Sequence, residues 1–244
     1  MINFFFTLSL LLSVSTIAFS QLIEKDNIET KDIGISINFG FTSHGGDATS
    51  WGRDGLGFFH NMNTSFGINV SKDLSNRIGL RLQYRNTKIE GNDSDLYDKT
   101  EWGPQLVLRG YSYSSQVSEF GLILEYSFKK SVPLYQEHRI QLYPFLSGGI
   151  AYASLSDDDQ LRSWGTLDNN TDNILLDQSE GSVGGIQFPI GIGLRLEITE
   201  AIFIDLFYNA RLPVSDYLDG ISEAGNPDSN DAYQICGLNI GLKF

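Results

Sequence analysis

A strict alternation of apolar and polar residues, recurring eight times between residues 32 and 244, constrains this chain more than any other feature. In the clearest stretch, residues 77–85, Ile, Leu or Tyr fills every even position, and Arg, Gly or Gln fills every odd one. A period of two places each set on one face of a β-strand. The other stretches span residues 32–42, 64–72, 117–128, 139–153, 184–197, 201–212 and 232–244. The pattern therefore predicts eight strands.

The connections between these strands alternate in length. Short connections fall near residues 73–76, 129–138 and 199–200. Long polar connections fall near residues 43–63, 88–116, 154–183 and 213–231. Three short turns and four long loops, with both chain ends on the short-turn side, are typical of an up-and-down barrel. The prediction is an all-β, eight-stranded antiparallel transmembrane β-barrel with four long extracellular loops.

A soluble β-sandwich is the alternative fold, because it also alternates. The apolar faces here are almost uninterrupted Ile, Leu and Phe, whereas the opposite faces mix Gly, Ser, Asn and Ala with charged residues. That mixture is typical of a crowded polar lumen rather than a solvated surface. The chain also ends in Lys243-Phe244, and a terminal Phe after an alternating strand is the usual signal for outer-membrane barrel assembly. Both features favour the membrane barrel.

The N-terminal segment predicts export. Residues 1–23 contain no charged side chain, and an apolar run ends in Ala18-Phe19-Ser20, a small-x-small pattern. This is typical of a signal peptide cleaved after Ser20. An uncleaved membrane anchor is the alternative, but its apolar core is short and interrupted by hydroxyl residues. We expect a signal peptide at residues 1–20 and an outer-membrane barrel domain at residues 21–244.

Charge and cysteine content exclude several classes of function. The chain carries 17 Lys and Arg against 30 Asp and Glu, a formal net charge of −13. So acidic a chain is a poor ligand for a phosphate backbone, which argues against nucleic acid as a partner. Its single cysteine, Cys236, excludes an internal disulfide and a cysteine-based zinc cluster.

The barrel interior is expected to be filled. Eight strands enclose a lumen just wide enough for side chains. Opposite charges can pair across that lumen, so we expect a plugged, structural barrel; a gated proton or ion path is the alternative. The charged residues expected to point inward are Arg77, Arg81, Arg85, Glu125, Arg195, Glu197, Asp205, Arg211 and Lys243.

The long loops carry the acidity. Residues 154–183 have a net charge of −6 and residues 213–231 of −5. Asp157-Asp158-Asp159 could supply oxygen ligands to calcium, but it lacks the fixed spacing of an EF-hand, so a solvated surface loop is favoured.

The histidines suggest an alternative function, an enzyme whose active site lies on a surface loop. His44 and His60 share the first long loop with acidic and hydroxyl residues, and His138 lies at a short turn. No spacing enforces contact between a nucleophile and a base. We therefore assign no catalytic, cofactor-binding or metal-binding residue.

The closing strand gives a register that can be tested. Its alternation predicts that Asn239 and Lys243 face the lumen or its periplasmic mouth. The residues predicted to face lipid are Cys236, Leu238, Ile240, Leu242 and Phe244.

Several stretches resemble a known family. They are residues 109–128, residues 143–152, and residues 216–222 with residues 225–233 and the final strand. They are similar to the Bacteroidota outer-membrane barrel family that includes the PorG-like component of type IX secretion. The resemblance implies an integral barrel without a cofactor, and for some members a place beside periplasmic secretion rings.

The expected function is a non-enzymatic anchor or accessory in the cell outer membrane, for type IX secretion. The expected partners are outer-membrane lipid, lipopolysaccharide and periplasmic secretion-ring proteins. A surface-loop enzyme and a small-solute channel remain the alternatives.

Overall fold

The computed structural model describes residues 33–45, 62–92, 112–128, 140–155, 184–199, 201–214 and 232–244. The predicted signal peptide at residues 1–20, most of the acidic loop residues, the Asp157-Asp158-Asp159 run, His60 and His138 lie outside the described residues. Within the described part, no helix has the length and apolar character to cross a membrane.

Eight antiparallel strands form one closed barrel in chain order, as the alternation predicts. Each strand pairs with the next, and β1 pairs with β8 to close the ring. The strands are β1 (Ile33–Gly45), β2 (Asn63–Asp73), β3 (Ile78–Asn92), β4 (Ser112–Ser127), β5 (Gln141–Leu155), β6 (Gly185–Glu197), β7 (Ile202–Pro213) and β8 (Ala232–Lys243).

The two ends of the barrel differ. The end that carries the start of β1, the end of β8 and the β2–β3 and β6–β7 turns is called the short-turn end. There, Ser75 Oγ accepts a hydrogen bond from the Ile78 amide at 3.1 Å, and Thr199 Oγ1 accepts one from the Ile202 amide at 3.0 Å. The four long connections join strands at the opposite, long-loop end, and their central residues lie outside those described.

Strands β3 and β4 extend further toward the long-loop end than the predicted residues 77–85 and 117–128. In the β3 extension the pattern inverts: Lys88 and Glu90 point outward, while Ile89 is fully buried inside. The apolar outer face therefore covers only part of the β3–β4 hairpin. The sequence alternation that depends on this face ends before the strands do.

The register gives the barrel its stagger. Following directly paired residues around the ring from Arg195 on β6 returns to the same strand at Gly185, ten residues away. The intermediate partners are Asp205, Asn239, Asn38, Gly67, Arg85, Glu119 and Ala153. Such a stagger requires strongly tilted strands, and the tilt brings residues from distant strands to the same level of the lumen.

An apolar belt surrounds the barrel exterior. Every strand contributes large aliphatic residues whose side chains point outward and remain about half exposed. One representative from each strand in turn is Ile37, Ile68, Leu82, Leu122, Ile150, Ile190, Leu206 and Ile240. A continuous belt with a polar interior is the arrangement of a barrel whose outer surface faces lipid.

The interior contains aromatic rings as well as charges. Phe145 lies directly opposite Gly193 on the neighbouring strand, and Phe203 lies directly opposite Gly241. A Cβ atom at Gly193 would lie 2.3 Å from the Phe145 ring, and one at Gly241 would lie 2.2 Å from the Phe203 ring. These two positions require glycine because the rings cover the backbone directly.

Candidate functional site

The polar lumen is the candidate functional site among the described residues. Its charged side chains project from β2, β3, β4, β6, β7 and β8, and they separate into two buried groups and a third at the short-turn mouth.

The Asp205 cluster consists of Asp205, Arg195, Glu125, Arg81 and Asn239. Arg195 binds Asp205 through two parallel hydrogen bonds, Nε to Oδ1 at 2.7 Å and Nη2 to Oδ2 at 2.9 Å. Arg195 Nη2 also donates to Glu125 Oε2 at 3.1 Å. Arg81 forms ion pairs with Glu125 and Asp205, and Asn239 Nδ2 donates to Asp205 Oδ2 at 2.9 Å. Two guanidinium groups thus face two carboxylates.

Aromatic rings hold Arg195 in place. Its guanidinium carbon lies 4.7 Å from the Phe203 ring centroid and 5.2 Å from the Phe145 centroid. A guanidinium group against an aromatic face gains electrostatic attraction in addition to its ion pairs. Arg195 therefore has both its charge and its orientation fixed.

The Glu119 cluster consists of Glu119, Arg211, Gln187, Tyr233, Gln83 and Arg85. Arg211 donates to Glu119 through Nε at 2.7 Å and Nη2 at 3.1 Å. Glu119 Oε2 also accepts from Gln187 Nε2 at 2.7 Å and from the Tyr233 hydroxyl at 3.0 Å. The Arg85 guanidinium carbon lies 5.2 Å from the Phe207 ring centroid. This cluster thus holds two guanidinium groups and one carboxylate, and the carboxylate bonds with Arg211.

A chain of amide side chains connects the two clusters. Arg211 Nη2 donates to Gln83 Oε1 at 3.0 Å, and Gln83 Nε2 donates to Asn69 Oδ1 at 3.0 Å. Asn69 Nδ2 then donates to Asn239 Oδ1 at 3.0 Å. Since Asn239 binds Asp205, hydrogen bonds run without a break from one cluster to the other. A connected network of this kind fixes the side chains that belong to it.

The mouth cluster lies at the short-turn end. Lys243 Nζ contacts Asp73 Oδ2 at 2.8 Å and Glu197 Oε1 at 3.1 Å, and the Tyr143 hydroxyl donates to Glu197 Oε1 at 2.7 Å. A pocket of about 40 Å³ opens beside Lys243 and reaches Glu125 and Arg195. This volume holds one or two water molecules rather than an organic ligand.

Most of the inward charges predicted from sequence lie where expected. Arg81, Arg85, Glu125, Arg195, Asp205 and Arg211 are buried in the lumen, and Glu197 and Lys243 lie at its mouth. The prediction for Arg77 is wrong: this residue is exposed in the turn before β3. The strand begins one residue later, so Arg77 does not follow the alternation.

The residue at the centre of one cluster was not among the predicted inward charges. Glu119 is 1% exposed, and it points inward with Gly121 and Glu125 of the same strand. Position parity along β4 was the signal that could have found it. The inward aromatic residues Tyr143, Phe145, Phe203, Phe207 and Tyr233 were also missed. On β7 the outward neighbours of Phe203 and Phe207 are also apolar, so periodicity does not mark their direction.

The surface-loop site proposed around His44 and His60 is wrong for His44. This residue belongs to β1 and is 2% exposed, so it is not a solvated loop side chain. The reason is that β1 continues to Gly45, beyond the predicted end at residue 42.

The closing strand has the predicted facing. Leu238, Ile240, Leu242 and Phe244 are exposed on the outside, and Asn239 is fully buried inside. Cys236 lies in the outward row, paired with Phe41 and Tyr208, and is partly covered.

The chemistry of the lumen is that of a filled interior. Its buried carboxylates are engaged by arginine, amide and hydroxyl donors. In the described part of the chain, no group of three His, Cys, Asp or Glu residues is placed to hold a metal ion. The arrangement packs and fixes the barrel wall from inside.

Comparison with solved structures gives barrels of low sequence identity. The N-terminal β-barrel domain of Pseudomonas aeruginosa OprF is 14% identical, with 87% of this chain and 98% of that chain covered and a TM-score of 0.42. Neisserial surface protein A is 11% identical, with 87% and 97% covered and a TM-score of 0.49. The outer membrane enzyme PagL is 14% identical, with 86% and 99% covered and a TM-score of 0.38. Similarity at this level carries no conclusion about activity.

Comparison at the level of sequence families is more decisive. No curated protein sequence matches the chain significantly. The family model described as a domain of unknown function, DUF6089, matches residues 22–243, nearly the whole chain. The protein therefore belongs to the DUF6089 family.

Proposed function

We propose that the protein is an integral outer-membrane barrel that acts as a non-enzymatic anchor or accessory, with a closed lumen. The observation that carries the proposal is the combination of an apolar belt outside and a continuous network of charges and hydrogen bonds inside. The belt supports insertion in lipid, and the network argues against a wide pore.

The belt supports membrane insertion on physical grounds. Ile37, Ile68 and Ile240 are direct cross-strand neighbours on the outer face, and similar rows continue around the ring. Soluble monomers rarely expose a contiguous apolar patch larger than a few hundred Å². Lipid hydrocarbon offers no hydrogen-bond partner, so every backbone polar group must be paired within the protein. A closed barrel meets this requirement because it has no free strand edge.

The orientation follows from the two ends. Outer-membrane barrels place short turns in the periplasm and longer loops outside the cell. We therefore assign the mouth cluster to the periplasm and the long-loop end to the cell surface. The expected surroundings are lipid and lipopolysaccharide, and the acidic loops would lie at the surface.

The first experiment tests the membrane location. Fractionation of the source bacterium should recover the mature protein in the outer membrane, and unheated samples should migrate faster on gels than boiled ones. Recovery as a soluble periplasmic species would contradict the proposal.

A second experiment tests the closed lumen. Planar-bilayer recordings on the purified barrel should show no stable large conductance, because ion-paired side chains occupy the interior. Truncation of both arginines at the centre of the network, Arg195→Ala with Arg211→Ala, is the matched positive control that should increase conductance. A large conductance in the unmodified protein would favour the channel alternative.

The finer role that we propose is participation in type IX secretion, beside periplasmic ring proteins. Its support is the sequence resemblance at residues 109–128, 143–152, 216–222 and 225–233. Deletion of the gene should reduce export of type IX cargo, and the intact gene supplied in trans should restore it. Unchanged export would remove the secretion role while leaving the anchor intact.

A further inference from the structure

Arg85 is a buried cation, and some of its hydrogen-bond donors have no partner. Its side chain belongs to a residue that is 1% exposed, and its Nε and Nη1 atoms have no hydrogen-bond partner among the described residues. Arginine stays protonated in proteins, so it cannot relieve burial by losing its charge. A positive charge in this position calls for a negative partner.

The nearest carboxylate is already engaged by other donors. Glu119 is the direct cross-strand partner of Arg85 on the same inward face. Its two oxygens accept two hydrogen bonds from Arg211 and one each from Gln187 and Tyr233. Three of these four bonds end on Oε2 and one on Oε1, and none of them comes from Arg85, so the single charge of Glu119 is paired with Arg211.

Apolar side chains surround Arg85 and lower the dielectric constant around its charge. Phe207 covers one face of the guanidinium, and it belongs to an apolar cluster inside the barrel with Ile89, Val117, Tyr233 and Ile235. The uncovered donors are therefore those in the guanidinium plane. Arg211 contributes a third unpartnered donor, Nη1, to the same cluster.

From this geometry we infer that the Glu119 cluster binds a small monovalent anion of the halide class, held by Arg85. The anion supplies the negative charge that the described residues lack, and it accepts the in-plane hydrogen bonds. Water could accept those bonds but could not balance the charge. The narrow lumen of an eight-stranded barrel excludes larger organic anions.

The experiment compares chloride with gluconate, an anion too large for the lumen. The folded protein in detergent is heated in sodium chloride or sodium gluconate at equal concentrations, and loss of the compact gel form gives a midpoint temperature. The midpoint temperature of the unmodified protein should be higher in chloride than in gluconate, and it should rise with chloride concentration until the site is saturated.

Arg85→Gln should remove the difference between the salts. Arg77→Gln is the matched control, since it removes an exposed arginine near the same strand, and it should retain the difference.

Equal midpoints in chloride and gluconate for the unmodified protein, or a difference that persists in Arg85→Gln, would overturn the inference. A second measurement does not depend on the variant. Crystals of the unmodified protein soaked in sodium bromide should show an anomalous scattering peak in contact with the Arg85 guanidinium. Absence of a peak there would mean that water or another part of the chain fills the position, and would equally overturn the inference.

Discussion

The Asp205 cluster and the Glu119 cluster lie in one lumen and differ in charge balance. In the first, Arg195 and Arg81 face Glu125 and Asp205, and the ion pairs involve all four groups. In the second, Arg211 takes the single carboxylate and Arg85 is left against an aromatic ring. The difference shows that proximity alone does not pair buried charges: two guanidinium groups meet two carboxylates in the first cluster and only one in the second.

The largest effect is expected from breaking the balanced cluster. Arg195→Gln leaves two buried carboxylates with Arg81 alone and removes the contacts with Phe145 and Phe203. Removing one partner of a buried ion pair typically costs about 3–5 kcal/mol, so the free energy of unfolding should fall by that order. Urea titration of the barrel in lipid vesicles measures it. Arg77→Gln, at the exposed turn, should change little, and a similar loss there would contradict the distinction between lumen and turn.

An arginine on the lipid face gives a reference cost for an unpaired cation outside the lumen. Ile240 lies in the outward belt, and Ile240→Arg should destabilise the protein by about 2–4 kcal/mol if the position is near the membrane midplane. Thr64→Arg, outward near the long-loop end of β2, should cost about 0–1 kcal/mol. Asn239 is unsuitable as a reference, because it bonds with Asp205 and Asn69. Equal costs at positions 240 and 64 would contradict the assigned depth.

A smaller effect is expected from displacing the ring that covers Arg195. A Cβ at Gly241 would overlap the Phe203 ring and approach Ser36 Cβ at 2.8 Å. Gly241→Ala should therefore cost about 1–3 kcal/mol through overpacking. At Gly148 the nearest atom to a new Cβ is 4.0 Å away, so Gly148→Ala is the matched control. Similar unfolding midpoints for the two variants would show that the ring contact is unimportant.

The smallest effect is expected from Arg85→Gln in halide-free buffer. This change removes a buried cation that has no carboxylate of its own, and it retains an amide that can donate hydrogen bonds. Stability should remain within about 1 kcal/mol of the unmodified protein, or rise, in contrast to Arg195→Gln. The same urea titration decides. A loss as large as that of Arg195→Gln would mean that Arg85 has a carboxylate partner and that the two clusters are equivalent.

The sequence predicted the strand number and the facing of most charged strand residues, but it misplaced the long-loop ends. Position parity correctly assigned Arg81, Asp205 and Asn239 to the lumen. It gave wrong or incomplete results where the outer face stops being apolar, as at His44 and along the extension of β3 and β4. Beyond the belt, lipid no longer selects apolar outer residues, so the pattern loses the physical cause that makes it readable.

The inward aromatic side chains are a second set of residues that the sequence pattern did not reveal. Phe145 and Phe203 are inward apolar residues between outward apolar neighbours, and only their contacts with Gly193 and Gly241 explain why they fit. Each of these pairs of an aromatic ring and a glycine joins two strands, so a pattern read along one strand does not reveal it.

The alternation by itself determined which face most charged side chains take, because a period of two assigns alternate residues to opposite faces. Only the tertiary structure decided which charges meet there. Glu119 and Arg211 are separated by 92 residues in the chain, and Glu125 and Arg195 by 70. Closing the barrel with a stagger of ten residues tilts the strands and brings those side chains to common levels. The register that sets this stagger depends on all eight strand pairings at once, so the charge imbalance at Arg85 appears only in the closed barrel.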